Sequence, residues 1–153
     1  LTVPDTLGGY PVTSTYLASF TNCSAQSIVL PEGMKLIRQG SFFGCQYLSR
    51  IKLPQSMETV EKEAFGKCET LQEIDFGGAV TIGEDIAVGS DSLSTVIISG
   101  NCKEILGAYP FLYNTSLIQF VVGEGGDGKD EDILATCERR FLPGGRQGVP
   151  FHD

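Results

Sequence analysis

Three cysteines recur at one distance behind a phenylalanine: Phe20 and Cys23, Phe42 and Cys45, Phe65 and Cys68. Thiols at a repeated place could pair, ligate a metal or attack a substrate, so their spacing decides which chemistry is open. The total of five cysteines is odd and no Cys-x-x-Cys occurs, so neither a disulfide framework nor a zinc site of usual spacing is written here. The only histidine, His152, stands next to the C-terminus, where a Ser/His or Cys/His couple would have to be built from the last residues of the chain. Carboxylate pairs such as Glu61 with Glu63 and Glu69 with Glu73 have the spacing of solvated turns and strands. Asp127, Asp130, Glu131 and Asp132 could gather oxygen ligands, but they depart from DxDxDG and lack a Glu at the twelfth place. The glycines form Gly-Gly turns, with no GxxxxGK[ST] or GxGxxG run opening a helix. No catalytic residue, metal site or cofactor is therefore expected. Asn22-Cys23-Ser24 and Asn114-Thr115-Ser116 match the N-glycosylation sequon.

The elements that must position these residues are repeats. From Phe42 to Phe65, from Cys45 to Cys68 and from Pro31 to Pro54 the step is 23 residues, and Leu71 to Leu93 and Ile74 to Val96 are 22 apart. Each copy carries an apolar-x-x-apolar-x-apolar run, as in Leu48, Ile51 and Leu53. Proline or glycine closes it and Met-x-x-Val or Met-x-x-Ile follows. The run is too short for a helix and fits a strand of a few residues, with the Met-x-x-Val step beginning the return path. Such a unit cannot bury its apolar side alone; stacked on its copies at about 4.8 Å it lines a continuous core. Ser90 and Asn114 replace the cysteine in later copies, which marks a small, partly polar place whose side chain reaches a neighbouring backbone group. Parallel stacking points adjacent Cβ bonds the same way, so free buried thiols are expected rather than bridges. Cys102 falls in a core place and Cys137 in the tail, neither with a mate. Both sequon asparagines lie at or beside the stacked place, so the repeat predicts that neither is exposed.

Beyond Gly123 the pattern stops. EGGDGKDED is a glycine-rich acidic run, after which Ile133, Leu134, Cys137 and Phe141 stand at helical spacing. Asp130 or Asp132 would cap that helix, Arg139 and Arg140 would suit its C-terminal end, and the helix would cover the last strand. Two parts are thus expected: a solenoid over residues 1–123, and an acidic linker with a cap and tail over 124–153.

The net charge of −8 argues against nucleic acid or an anionic lipid surface as the main partner. No apolar run approaches the roughly 20 residues that span a bilayer, so no membrane insertion is expected. The chain opens at Leu1 rather than Met, which fits a mature form or an excised piece.

The phrase from Phe42 to Cys68, Phe-x-x-Cys-x-x-Leu-x-x-Ile-x-Leu-Pro-x-x-Met-x-x-Val-x-x-x-Ala-Phe-x-x-Cys, resembles the BspA-like (Treponema pallidum-type) leucine-rich repeat, and the opening Pro-Asp-Thr-Leu-Gly-Gly-Tyr-Pro-Val-Thr-Ser is similar to an early repeat of that family. The resemblance covers Leu1 to about Gly123. It departs where Ala87 and Ser90 replace Phe and Cys, and where Gly77 and Ser99 stand for Pro. It implies an α/β leucine-rich-repeat solenoid, β-rich, of about five 22–24-residue coils with short parallel strands, to which the tail adds a C-terminal helical cap. It also implies a secreted or surface-attached protein of bacteria or some protozoa that acts in adhesion or protein binding, and no catalytic residue.

If Leu48, Ile51 and Leu53 face inward, the side chains between them face outward. Arg50 and Lys52 then stack on Glu73 and Asp75, with Ser27 and Val29 on the previous coil and Thr95, Ile97, Gln119 and Val121 further along. These residues form the candidate face for a protein or extracellular-matrix ligand outside the cell. Alternatively the opposite charges merely neutralise one another across strands at about 0.2–1 kcal/mol a pair, and the repeats serve as a spacer. A hydrolase site between the cap and the last coil is the remaining alternative.

Overall fold

The computed structural model describes residues 1–107, 110–111, 114–117 and 119–123. Short strands follow in the order β1 (Thr6–Leu7), β2 (Tyr10–Pro11), β3 (Leu36–Ile37), β4 (Arg50–Lys52), β5 (Thr59–Val60), β6 (Glu73–Asp75), β7 (Thr81–Ile82), β8 (Thr95–Ile98), β9 (Glu104–Ile105) and β10 (Gln119–Val122). Four successive apolar-x-x-apolar-x-apolar runs, beginning with that of Ile51, supply the strands of a parallel ladder ordered β10-β8-β6-β4. Its register aligns Ile51 with Ile74, Ile74 with Val96 and Val96 with Phe120. Ile51, Ile74 and Val96 are buried, as a single inward spine requires. Each such side chain contributes about 1.5–3 kcal/mol by leaving water, and none could do so without the coil beneath it.

A second parallel ladder, β3-β5-β7-β9, runs along the return path. Ile37, Val60, Ile82 and Ile105 occupy its inward row, paired in register and buried. The return path is therefore a second strand face. Two residues per coil are too few to show a period of two, although the β-branched residue in that place suits a pleated surface. With both ladders four strands deep, the described repeats wind about four turns rather than the five expected, because the first coils do not join the long ladder. No helix occurs among the described residues, so the coils are β-solenoid turns rather than α/β units. The expected helical cap lies outside the described residues.

The opening insert folds as the hairpin β1–β2, its antiparallel pairs Thr6 with Pro11 and Leu7 with Tyr10 closed by Gly8 and Gly9 at positive φ. On either side of it the chain stacks on the next coil through bridges from Thr2 to Val29 and from Ser14 to Leu36.

The phenylalanine of each repeat builds a column inside the coils. Phe20 lies on Phe42 with centroids 5.2 Å apart, and Phe42 on Phe65 at 5.5 Å, both within 4° of parallel. Ala87 interrupts that column. The gap is filled from the strand side by Phe76, which stands where Leu53 stood and meets Phe65 and Phe111 edge-on, each at 6.4 Å. A small residue in one place and a large one in another thus conserve the packed volume.

The cysteine places form a hydrogen-bonded column beside the rings. Cys45 Sγ donates to the Phe20 carbonyl at 3.3 Å, Cys68 Sγ to that of Phe42 at 3.1 Å, Ser90 Oγ to that of Phe65 at 2.8 Å and Asn114 Nδ2 to that of Ala87 at 3.0 Å. Each is one coil below. The place demands a small donor because a buried carbonyl without a partner costs about 1–3 kcal/mol, which explains why Cys, Ser and Asn exchange there. Cys23, Cys45, Cys68 and Cys102 carry free thiols. The Cys45 thiol beside it, followed by burial, pushes the Cys68 thiol above its ordinary value, so it stays protonated and inert.

Candidate binding face on the strand ladder

The register of the long ladder fixes what it shows to solvent. Arg50, Glu73, Thr95 and Gln119 form one outward row, and Lys52, Asp75, Ile97 and Val121 a second two residues on. The alternation in β4, exposed Arg50 and Lys52 around buried Ile51, recurs in β6 and β8 with outward residues half-buried. Eight of the ten residues expected on this face are therefore brought into two straight rows.

Ser27 and Val29 stand apart from those rows. Val29 is exposed but pairs backward, taking its hydrogen bond from Val3 and giving one to Leu1, each at 2.9 Å. No ladder bond joins it to β4. The link from Cys23 to Ile28 is one residue shorter than that from Cys45 to Ile51 or from Cys68 to Ile74, and this coil does not take up the common register.

The two charged pairs behave differently. Lys52 Nζ approaches Asp75 Oδ2 at 3.4 Å, while Asp75 Oδ1 also accepts the Gly77 backbone N–H at 2.9 Å. Asp75 is thus largely spent inside the protein, holding the turn that ends its strand. Arg50 and Glu73 are opposed in register yet make no ion pair, and Arg50 is exposed. The other ion pairs among the described residues, Lys35 with Glu58 and Arg38 with Glu61, flank the second ladder. Electrostatically the long face grades from cationic at β4 through acidic at β6 to uncharged Thr95, Ile97, Gln119 and Val121.

Just past the strands an open groove of about 570 Å³ crosses three coils, lined by Ser56, Met57, Gly78, Val80, Asn101 and Lys103 among others. Gly77 and Gly78 are essential there: a Cβ on either would meet the Leu53 or Gln55 carbonyl of the coil below. Gly77 also has φ +56°. The sequence signal for this groove was the exchange of Pro54 for Gly77 together with the second glycine, visible as a turn but silent about a cleft. His152 and the cluster from Asp127 to Asp132 lie outside the described residues. Among the described residues no group of three or more His, Cys, Asp or Glu could hold a metal, and no helix is long and apolar enough to cross a membrane.

The family model described as BspA type leucine rich repeat region matches residues 13–138 in six copies. The chain belongs to that family. Three solved structures share this fold. A leucine-rich repeat protein of T. pallidum aligns with a TM-score of 0.70 at 23% identity, over 89% of this chain and 82% of that one. A leucine-rich cell surface protein of Faecalibacterium prausnitzii gives 0.72 at 19%, over 95% and 35%, and a leucine-rich repeat protein of Bacteroides ovatus 0.69 at 24%, over 79% and 33%. The BspA-type chain here spans about a third of the last two. No curated protein matches it.

Proposed function

We propose that the outward face of the long ladder binds a protein or extracellular-matrix ligand, and that the chain is a non-catalytic adhesion module displayed at the cell surface. The observation that carries this reading is the pair of rows from β4 to β10, with an exposed, unpaired Arg50 at one end and Ile97 and Val121 at the other. A partner laid across the coils meets the cations of β4, then the acids of β6, then the apolar Ile97 and Val121 among uncharged neighbours, the mixture that interface cores and rims use. The F. prausnitzii structure, described as a cell surface protein, supports the location. A net charge of −8 disfavours a nucleic acid or an anionic membrane as the partner.

The Lys52–Asp75 ion pair favours a second reading, in which the face neutralises itself and the repeats only project another domain. The two readings separate in a pull-down of the chain against immobilised extracellular-matrix proteins and polysaccharides, with Arg50→Glu/Lys52→Glu as the comparison. Retention that the double variant loses supports the binding face. Equal background in both forms supports the spacer.

A further inference from the structure

We propose that Asn22 is an acceptor for N-linked oligosaccharide and that Asn114 is not. The repeat pattern alone treats the two sequons as equivalent and hides both; the structure separates them. Asn22 and the Ser24 that completes its sequon are exposed. The Asn22 side chain makes no hydrogen bond, and its Oδ1 is the amide atom nearest Gly44. Its backbone turns a corner at φ +57° while its N–H is held by the Phe43 carbonyl at 2.8 Å, so the exposed side chain starts from a fixed point, with its amide lying over Gly44 of the next coil.

Asn114 is committed to the fold. Its Nδ2 donates to the Ala87 carbonyl at 3.0 Å and to the Ser90 carbonyl at 2.8 Å, using both amide protons, and its Oδ1 is buried without a partner. A sugar on that nitrogen would break at least one bond of the stacked column.

The donor is a polyprenyl-diphosphate-linked oligosaccharide. The bond from Asn22 Nδ2 to the sugar's anomeric carbon forms as that carbon's bond to the diphosphate oxygen breaks. Polyprenyl diphosphate leaves, and one amide proton passes to solvent. No oxidation or reduction is involved. Asn22 stands at the corner preceding Ser27 and Val29, outside the two rows from Arg50 to Val121, so the glycan leaves the proposed binding face open.

The proposal rests on the extracellular reading above, because only a chain that follows a secretory route meets such a transferase. The test supplies the route, so that its failure is distinct from failure of that reading: the full chain is secreted from cultured insect cells behind an added leader. The folded, secreted product is then digested with peptide-N-glycosidase and mapped by mass spectrometry. Glycan at Asn22 is expected, lost in Ser24→Ala, which leaves the strained Asn22 backbone untouched, and kept in Asn114→Gln. A secreted chain bare at Asn22, or one carrying its glycan at Asn114, overturns the proposal.

Discussion

Phe76 and Ala87 offer a direct test of how the coils pack, because each departs from the repeat and the departures fit each other. In the regular copy the place of Phe76 holds Leu53 and that of Ala87 holds Phe65. Phe76→Leu removes two edge-on ring contacts, each about 0.5–1.5 kcal/mol beyond area burial, and leaves part of the ring's volume empty; a loss of about 2–3 kcal/mol is expected. Ala87→Phe alone drives a second ring into filled space and costs about 1–3 kcal/mol. Together they restore the arrangement in which Phe42 stacks on Phe65 at 5.5 Å, so the double variant should lie within about 1 kcal/mol of the parent, a favourable coupling of about 2 kcal/mol or more. Urea unfolding followed by circular dichroism, with unchanged m-values, measures all four corners of the cycle. Costs that add to within about 0.5 kcal/mol would show that Phe76 does not fill the space Ala87 leaves.

Other outcomes follow from single places. Gly78→Ala puts a methyl group against the Gln55 carbonyl and should cost about 1–3 kcal/mol in urea unfolding; a neutral result would mean that the coils are not so closely apposed. Lys67 holds φ +56° where the coils before and after it have Gly44 and Gly89, so Lys67→Gly should raise stability by about 0.5–1 kcal/mol, the left-handed strain relieved exceeding the entropy added to the unfolded chain. Cys68→Ser keeps the bond to the Phe42 carbonyl, as Ser90 does one coil on, and should leave neutral-pH stability nearly unchanged. The same variant should flatten the alkaline limb. Above pH about 8.5 an unfolded thiol loses a proton that the raised folded Cys68 thiol keeps, so this thiol lowers stability as pH rises, while the Cys45 thiol, lowered by its bond with Cys68, acts in the opposite sense. An alkaline limb in Cys68→Ser that is the same as the parent's contradicts that assignment.

The long ladder was legible because its inward places, such as Ile51, Ile74 and Val96, recur at a nearly constant step and carry a side chain of one kind. Register then placed the eight outward residues without further information. The cysteine column was legible for a related reason: the exchange of Cys for Ser90 and Asn114 conserves a donor and little else. The second ladder was not, since one inward residue per coil such as Val60 has no neighbour with which to alternate. The place of Ser27 and Val29 depends on whether a link one residue short can still reach the common register, which spacing alone does not decide. Phe76 was readable as a core residue, but its partnership with Ala87 joins different parts of two coils. The exposure of Asn22 likewise depends on which way a corner turns, although Cys23 beside it packs against the core.

The central claim is that the inward spine of the long ladder leaves two straight outward rows from β4 to β10. Nitroxide labels on Arg50→Cys and Gln119→Cys, in a Cys23→Ser/Cys137→Ser background with Cys45, Cys68 and Cys102 buried, test it most directly. Three strand spacings separate the two positions, and dipolar broadening should report about 14 Å between their backbones, with both labels mobile. Labels about 30 Å or more apart, or ready labelling of Ile74→Cys in the folded chain, would contradict the stacked ladder.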